Sequence, residues 1–394
     1  MLPLFIVFVY YKKFSRRLVR KLLDWIRGEA AEVAEKLGVN RYAKRVVFEE
    51  FVTAWILVGA HSGSGLREHA RQFAAAHHPV SPSSLSHRLN GWRNLVPALL
   101  KVLSRMVKRA RKAARSRFHS TTSRVVGKLA VFDTSWLTFS SKLVAWALPG
   151  SGGAKHRSFV KLLVRTTMSA DGDGTVEHVA VRWDTRSFDD NAFLGEATSV
   201  KERDVTFIAD EGFNALSRLK EVVEAGNHFI VPYHGYAVSG AERLKLNPED
   251  KEYGVTEDVV CVLGAEDNPG RMVARVVTAT VACRGGRQTL KLVTDRLDLP
   301  ARVIPELYGL RWSVEVLFRL LKRGGFDLEK PSARSPQGVV AHVLLVVLAF
   351  LLAVLASAAG GEGFSIRHPS VLEFVSWSRV HGGALLYHIF RPRT

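Results

Sequence analysis

The sequence predicts an α/β protein: a mixed β-sheet flanked by helices, with an all-helical N-terminal region and a β-rich insertion. Three observations support this fold class. Apolar residues recur at roughly helical spacing from about residue 14 to 117. Strand-like runs with tight turns replace them near Arg124. Helical periodicity returns at Pro300 and continues to about residue 359.

The middle of the chain predicts a definite order of strands. A hairpin turn at Asp171–Gly174 joins the second and third of three strand-like runs, and a strand, a helix and a strand follow. The predicted elements are the strands Val125–Phe132, Lys161–Ser169, Val176–Trp183 and Val205–Ala209, the helix Gly212–Glu224 and the strand His228–Pro232. Three antiparallel strands followed by strand, helix and strand is the order of the ribonuclease H fold. In that fold the first and fourth strands are neighbours in the middle of the sheet.

The same patterns divide the chain into five segments. Residues 234–300 hold strand-like runs at Asp258–Leu263, Met272–Ala282 and Gln288–Thr294, with no helix of ordinary length, which predicts a β-rich insertion. The expected organisation is a basic helical region at 1–124, the sheet core at 125–233, the insertion at 234–300, the rest of the core at 301–362, and a C-terminal tail at 363–394.

The charge of the chain points to a polyanionic partner. Its 394 residues carry a formal net charge of +19, with a pI near 10.1. Such an excess favours nucleic acid or an anionic membrane surface. Between Lys101 and Ala130 there are ten Lys or Arg residues and no acid. A solvated basic helix is one interpretation of this block. A DNA-contacting arm is the one favoured here, with four candidate phosphate contacts: Lys108, Arg109, Arg111 and Lys112.

Cysteine content and hydropathy bear on whether the chain is a disulfide-rich, zinc-binding or membrane protein. Cys261 and Cys283 are too few for a disulfide framework or a cysteine-ligated zinc site, and both are expected as buried thiols in a reducing cytoplasm. Met1–Tyr10 is apolar but too short to cross a bilayer. Val339–Gly360 is long enough, and by hydropathy alone it is either a membrane helix or a buried core helix.

One short helical stretch carries an unusual stripe of polar residues. Tyr308, Arg311, Glu315 and Lys322 are separated by three, four and seven residues. At about 3.6 residues per turn they share one face of a helix. A solvated face with an ion pair between Arg311 and Glu315 would explain them. A surface that holds a metal through Glu315 and phosphates through the two cations is the alternative, although the stripe taken alone favours the solvated face.

Two further carboxylates favour the metal interpretation. Asp133 and Asp210 each follow an apolar strand run, and those two strands are predicted neighbours. Three converging carboxylates repel one another unless a cation neutralises them, and Mg²⁺ prefers such oxygen ligands. Two such ions about 4 Å apart can activate water and stabilise the leaving oxygen of a phosphodiester. Nearby acids compete for these roles: Asp184, Asp189, Asp190 and Asp204.

These motifs resemble those of a known family. Tyr308-x2-Arg311-x3-Glu315-x6-Lys322 is similar to the Y-R-E-K signature of DDE transposases of the insertion-sequence-4 type. Phe132–Ser135 resembles the family's first-acid motif. Ile208–Phe213 resembles its second, an Asp followed by Gly and an aromatic residue. Leu292–Pro300 resembles the family's approach to the signature. The resemblance covers roughly residues 45 to 360.

The resemblance implies a cut-and-paste transposase acting on double-stranded DNA. Asp133, Asp210 and Glu315 would be catalytic and would bind two Mg²⁺ ions, with Mn²⁺ as a substitute. Residues of the signature would hold DNA: Tyr308, Arg311, Trp312 and Lys322. The basic block and N-terminal helices would bind terminal inverted repeats. The resemblance also implies a homodimer that acts on paired transposon ends, in the cytoplasm at the nucleoid. It further implies that Val339–Gly360 is a core helix.

Two other functions remain open at the level of sequence. One is a catalytically silent, transposase-derived DNA-binding protein, and the other is a basic protein anchored in a membrane by residues 339–359. Relatives that form a DNA hairpin use an aromatic wedge, often Trp, from the insertion. Residues 234–300 hold no Trp or Phe, and Tyr236 and Tyr253 are their aromatic residues.

Overall fold

The structure is a computed structural model. It describes residues 14–43, 46–57, 66–75, 79–115, 126–140, 146–149, 157–169, 174–183, 189–198, 203–283, 286–359 and 370–390. They form two compact units. The helical unit comprises Met1–Arg117, Trp136–Val160 and Val316–Thr394, and the sheet unit comprises Phe118–Ser135 and Lys161–Glu315. Met1–Tyr10, Arg124, Val125 and most of the predicted hairpin turn lie outside the described residues.

The helices are numbered along the chain. They are α1 (Arg16–Leu37), α2 (Phe48–Leu57), α3 (Leu66–Ala75), α4 (Pro82–Gly91), α5 (Leu95–Arg115), α6 (Leu194–Ala197), α7 (Leu216–Glu224), α8 (Pro248–Tyr253), α9 (Val303–Tyr308), α10 (Trp312–Arg323), α11 (Pro336–Ala359) and α12 (Ser370–Phe390). Short 3₁₀ turns occupy Val39–Tyr42, Asp190–Phe193 and Gly309–Arg311.

The apolar helix α11 is the centre of the helical unit. It packs against α1, α2, α4, α5 and α12. By length and composition it could cross a membrane, with a mean hydropathy of 3.0, yet 94% of that apolar window is buried inside the protein. Such burial is that of a core helix, as the resemblance implied. A second apolar cluster joins α2 to the end of α4, where the rings of Phe48 and Phe51 contact Trp92.

The strands form one ten-stranded sheet. They are β1 (Lys128–Ser140), β2 (Leu148–Pro149), β3 (Arg157–Met168), β4 (Gly174–Arg182), β5 (Val205–Ile208), β6 (His228–Pro232), β7 (Val238–Arg243), β8 (Val255–Leu263), β9 (Met272–Cys283) and β10 (Gly286–Thr294). Their order is β2-β3-β1-β5-β6-β10-β9-β8-β7, with β4 paired to β3. This mixed sheet with its helices confirms the predicted fold class.

The central strands of the sheet are parallel. β5 lies between β1 and β6 and pairs with both in parallel, whereas β3 and β4 form an antiparallel hairpin. One face is covered by α7, whose Leu216, Leu219 and Val222 are buried at helical spacing. The apolar core beneath includes Phe132, whose ring meets that of Phe213 at 4.8 Å. A close-packed core of this kind fixes the ends of the central strands.

Several predicted element boundaries were wrong. β1 does not end at Phe132 but continues to Ser140, so Asp133 lies inside the strand. The helix predicted from Gly212 begins at Leu216, because a turn occupies Glu211 and Gly212. The C-terminal tail, for which no element was predicted, contains α12. In the first two cases a polar or turn-forming residue did not coincide with the hydrogen-bonded boundary.

The segment predicted as a β-rich insertion continues the core sheet. β10 pairs antiparallel with β6, and β9, β8 and β7 follow outward in turn. The six-residue helix α8 and the strand β7 were not predicted. Between β8 and β9, Arg275 Nη2 lies 2.7 Å from Asp258 Oδ2, and both side chains are buried. A buried pair with two hydrogen bonds favours one strand register over its alternatives.

Candidate active site

Asp133 and Asp210 lie at matching positions on neighbouring strands. In the β1–β5 pair the last matched residues are Val131 and Ile208, and each acid stands two residues further along. Because side chains alternate along a strand, both carboxylates lie on one face at one level of the sheet. The convergence expected from sequence is therefore observed, although Asp133 lies within its strand.

Backbone groups orient both carboxylates in the same way. The Thr134 N–H donates to Asp133 Oδ1 at 2.7 Å, and the Glu211 N–H donates to Asp210 Oδ1 at 2.8 Å. Each acid thus uses one oxygen to accept from the next residue in the chain. The other oxygen, Oδ2, remains for the centre of the site.

The guanidinium of Arg311 occupies that centre. Its Nη1 lies 3.4 Å from Asp133 Oδ2 and 3.7 Å from Asp210 Oδ2, and its Nη2 lies 2.6 Å from Glu315 Oε1. Arg311 ends the 3₁₀ turn before α10, and Glu315 lies in the first turn of that helix. The i,i+4 pair expected from sequence is present, and it is joined to the two strand acids.

The pKa of Asp133 is raised by burial and by neighbouring negative charge. Its value is about 7: burial is the largest cause, the charges of Asp210 and Asp190 add to the rise, and the Thr134 N–H and Arg311 oppose it. Burial alone would lower the pKa of Arg311, but Tyr308 and the surrounding acids raise it. Burial raises the pKa of the Tyr308 phenol to about 12, so this group stays neutral. The site has the electrostatics of one that needs a cation.

The carboxylates suit a divalent metal without yet forming a metal centre. Among the residues that the structure describes, no three His, Cys, Asp or Glu side chains lie together closely enough to hold a metal ion. Arg311 supplies positive charge among the acids instead. Three carboxylates are nevertheless the donors that Mg²⁺ and Mn²⁺ prefer. The chemistry of the donor set therefore suits such an ion.

Asp190 is a neighbouring acid with a different role. Its Oδ1 accepts from the Thr134 hydroxyl and lies 2.5 Å from the Nζ of Lys161, whose side chain is 4% exposed. A Cβ atom on Gly212 would lie 2.4 Å from Asp190 Oδ2. Asp190 therefore contacts the residue after the first acid and the turn after the second. Sequence analysis treated it only as a rival to the chosen acids.

The other rival acids are occupied elsewhere or lie outside the described residues. Asp189 accepts from the Asn191 N–H at 2.9 Å at the start of a 3₁₀ turn. Asp204 has a left-handed backbone with φ of 56° in the turn before β5. Asp184 lies outside the described residues.

Two further residues belong to the predicted signature. Lys322 belongs to the helical unit, where its Nζ donates to the Trp136 carbonyl at 2.5 Å and lies 3.3 Å from Glu329. The side chain of Trp312 is 47% exposed at the start of α10. The structure brings Tyr308, Arg311 and Glu315 to the strand acids and gives Lys322 an ion-pair partner of its own.

Part of the basic block lies on the exposed face of α5. Lys108, Arg109 and Lys112 are exposed, while apolar residues between them are buried. The Arg109 guanidinium stacks on the Trp25 ring at 4.1 Å. The side chain of Arg111 is outside what the structure describes.

Fold and site together define a class of protein. A ribonuclease H-like mixed sheet whose central parallel strands present paired acids is the architecture of nucleic-acid phosphoryl-transfer enzymes. Residues 120–352 match the family model of the transposase DDE domain, and this is more than half of the 394-residue chain. The protein therefore belongs to the DDE transposase family, which acts on DNA and generally uses divalent metals. No curated protein matches the sequence.

Proposed function

We propose that this transposase cuts transposon ends and joins them to target DNA by metal-dependent phosphoryl transfer, as insertion-sequence-4 type enzymes do. One observation supports this most strongly. Asp133 and Asp210 stand two residues beyond the last paired residues of neighbouring strands, and both approach the guanidinium that holds Glu315. A carboxylate with a strongly raised pKa beside further acids and a cation is a candidate for a functional site.

The three carboxylates have a defined part in this mechanism. Asp133, Asp210 and Glu315 would hold two Mg²⁺ ions, or Mn²⁺ in their place. Bound there, the ions supply the activation of water and the stabilisation of the leaving oxygen. Asp133, whose pKa is raised to about 7, would have to be deprotonated to serve as a ligand. The backbone N–H groups on Asp133 and Asp210 keep both carboxylates aimed at the centre.

The guanidinium of Arg311 can bind either carboxylates or the phosphates of DNA. Its planar guanidinium can grip a phosphate through two parallel hydrogen bonds. If the Arg311 guanidinium bound a DNA phosphate in place of the acids, the Oδ2 atoms of Asp133 and Asp210 would be accessible to the metal. The guanidinium would then neutralise the phosphate instead of the carboxylates. Other residues proposed to contact DNA are Tyr308, Trp312 and Lys322 near the cleavage point, and Lys108, Arg109, Arg111 and Lys112 on the inverted repeats.

Assembly and location follow from this function as further proposals. Cut-and-paste joining handles two transposon ends at once, which a homodimer on paired ends would do. Its substrates are double-stranded terminal inverted repeats and target DNA. Such an enzyme works in the cytoplasm at the nucleoid.

A second candidate is a DNA-binding protein that no longer cleaves. The position of Arg311 favours it, because the guanidinium lies where a metal would bind and no metal-binding group of three acids forms among the described residues. DNA binding would survive in such a protein, whereas cleavage would not.

Cleavage of the native DNA separates the two candidates. We expect the purified chain with Mg²⁺ to nick a plasmid that carries the genomic DNA flanking its gene. Glu315→Gln should bind the same DNA with unchanged affinity and nick it at least about 100-fold more slowly. Replacing a residue that only hydrogen-bonds to a metal ligand already lowers metal affinity or activity by about 10–100-fold.

The matched control is Glu306→Gln. Glu306 is an exposed acid on α9, so the variant makes the same chemical change outside the carboxylate site. It should nick at the wild-type rate. If the wild-type chain bound this DNA but did not nick it with Mg²⁺ or Mn²⁺, the silent DNA-binding protein would be the correct account.

A further inference from the structure

The lysine of the predicted signature is tied to the loop that follows its helix. Residues 324–335 connect α10 to α11, and Glu329 lies in the middle of them. Lys322 Nζ lies 3.3 Å from Glu329 Oε1 and donates to the Trp136 carbonyl at 2.5 Å. The same Glu329 oxygen accepts from the Thr138 N–H at 3.1 Å. One carboxylate oxygen therefore joins the ammonium to the backbone of β1.

The residues before Glu329 anchor its loop. Phe326 and Leu328 are buried, and the carbonyl of Asp327 between them accepts from His342 Nε2 at 3.1 Å. Buried side chains and a hydrogen bond to α11 thus hold the loop in place. Glu329 is consequently oriented before any ligand arrives, which lowers the entropy lost when one binds.

The ammonium of Lys322 retains a donor for a ligand. A lysine ammonium has three N–H donors. Its partners among the described residues are the Trp136 carbonyl and Glu329, and its side chain is 21% exposed. A free lysine loses rotamer freedom when it binds a phosphate, whereas a lysine that is already held loses less.

We propose that Glu329 is a positioning residue for Lys322 in the reaction with DNA. Glu329 holds the ammonium against β1, the strand that also carries Asp133, and the remaining N–H donor meets a DNA phosphate. A carboxylate that competed with DNA would have to withdraw when DNA arrives, but Glu329 is fixed by the Thr138 N–H. The inference rests on the proposed action on DNA, and it adds a residue from outside the predicted signature.

The direction of a change in affinity tests this proposal. Glu329→Gln removes one negative charge and keeps an oxygen that can accept from the Thr138 N–H. Non-specific electrostatics predict tighter DNA binding when positive charge is gained, whereas loss of positioning predicts weaker binding. The probe is a labelled duplex of the genomic DNA that flanks the gene, measured by fluorescence anisotropy. Its affinity at about 0.1 M KCl should fall about 3- to 10-fold, because one phosphate contact is worth about 10-fold at that salt concentration.

A double-mutant cycle shows whether this loss depends on Lys322. Lys322→Met should weaken binding of the duplex about 10-fold. In the Lys322→Met background, Glu329→Gln should change the affinity by less than about 2-fold, because the group that it positions is gone. Equal losses in the two backgrounds would show that Glu329 acts on the fold alone and would overturn the proposal. Urea unfolding verifies each variant, and Lys322→Gln replaces Lys322→Met if the latter does not fold.

The matched control is Asp327→Asn. Asp327 lies in the same loop and pairs with Lys330 at 2.8 Å, so this variant makes the same change of charge two residues away. Asparagine also tolerates the left-handed backbone at this position, where φ is 54°. Asp327→Asn should bind the duplex as tightly as the wild-type chain or more tightly. The same result for Glu329→Gln would make Glu329 a bystander or a competitor of DNA and overturn the proposal.

Glu329→Asp separates the charge of the side chain from its shape. Aspartate keeps the charge that holds the ammonium, whereas glutamine keeps the length that reaches the Thr138 N–H. Glu329→Asp should therefore bind the duplex more tightly than Glu329→Gln does. The reverse order would show that Glu329 acts only through its backbone hydrogen bond and would overturn the proposal.

Nicking by the same chains separates this proposal from the proposed function. A wild-type chain that bound the duplex without nicking it would overturn the proposed cleavage, and the affinity cycle would still test Glu329. Absence of coupling in a chain that nicks DNA would overturn the role of Glu329 alone. A wild-type chain that bound no duplex would overturn both.

Discussion

Asp190 is the residue through which the two acid-bearing segments are held together. It accepts from the Thr134 hydroxyl beside the first acid, pairs with the buried Lys161 at 2.5 Å and packs on Gly212 two residues after the second. It contacts residues beside the two strand acids and its charge raises the pKa of Asp133, so its role is to position the segments that carry Asp133 and Asp210. A buried ammonium and its carboxylate are strongly coupled, and this makes the role testable.

Removing Asp190 should destabilise the fold through Lys161. Asp190→Asn takes away the carboxylate that neutralises the buried ammonium, and we expect the free energy of unfolding to fall by about 2–4 kcal/mol. Lys161→Met combined with Asp190→Asn removes both charges and should restore most of that loss. Urea unfolding of the single and double variants measures the coupling.

The control for this cycle is the preceding residue. Asp189 is exposed and caps a 3₁₀ turn, a role that asparagine can also fill, so Asp189→Asn should change stability by no more than about 0.5 kcal/mol. Additive effects of the Asp190 and Lys161 substitutions would contradict the coupling and leave Asp190 as an ordinary turn residue.

The sequence predicts those site residues that are marked by their position along the chain, either by helical spacing or by following a strand. Arg311 and Glu315 are a local pair, and Asp133 and Asp210 follow apolar strand runs. Asp190 escapes such reasoning because Thr134, which donates to it, is 56 residues away and only the fold brings them together. The position of Arg311 between all three acids likewise depends on distances that no spacing encodes.

At the scale of elements, β1 shows why boundaries are harder to predict than elements. The pairing of β1 with β5 stops at Val131, yet the strand runs on to Ser140. Asp133, Thr134 and Ser135 look like a polar end of the strand. The alternation beyond them, with Leu137 and Phe139 buried, continues the period of two. The polar residues interrupt the apolar run without ending the extended backbone.

The helix α11 carries one titratable group, His342, in an apolar interior. His342 Nε2 lies 3.1 Å from the Asp327 carbonyl, which accepts from it, while Nδ1 is buried with no hydrogen-bond partner among the described residues. Burial lowers the pKa of His342 to about 4, although the Asp327 carbonyl opposes this. Hydropathy alone could not distinguish this core helix from a membrane span. The two have the same length and apolar composition, and differ in whether protein or lipid surrounds the helix.

His342 should make the fold sensitive to mild acid. The folded-state pKa is below the unfolded value of about 6.5, so the unfolded chain binds the proton better. Its contribution to stability is therefore complete above about pH 6.5 and lost as the pH falls toward 4. Between pH 7 and pH 5 the wild-type free energy of unfolding should fall by about 2 kcal/mol more than that of His342→Gln.

An exposed histidine provides the comparison for this measurement. His87 lies exposed on α4, and His87→Gln should follow the wild-type curve of unfolding free energy against pH. Parallel curves for the wild-type chain and His342→Gln would show that His342 does not titrate on unfolding in this range.

At the scale of the whole molecule, the basic charge and the family match agree. The match to the transposase DDE domain spans residues 120–352, which include Asp133, Asp210 and Glu315. The net charge of +19 suits a DNA-acting protein. Sequence order predicted the ribonuclease H-like core but not that β7–β10 would continue its sheet. That outcome depends on the edge of β6 being free to pair with β10.

The central claim is that Asp133, Asp210 and Glu315 together bind divalent metal. Calorimetric titration with Mn²⁺ at pH 7 tests it most directly. The wild-type chain should bind about two ions and release protons, because the pKa of Asp133 is about 7 in the metal-free protein. Asp133→Asn, Asp210→Asn and Glu315→Gln should each weaken binding at least about 10-fold, and Glu306→Gln should leave it unchanged. Equal Mn²⁺ affinity and proton release in the wild-type chain and all three acid variants would contradict the account.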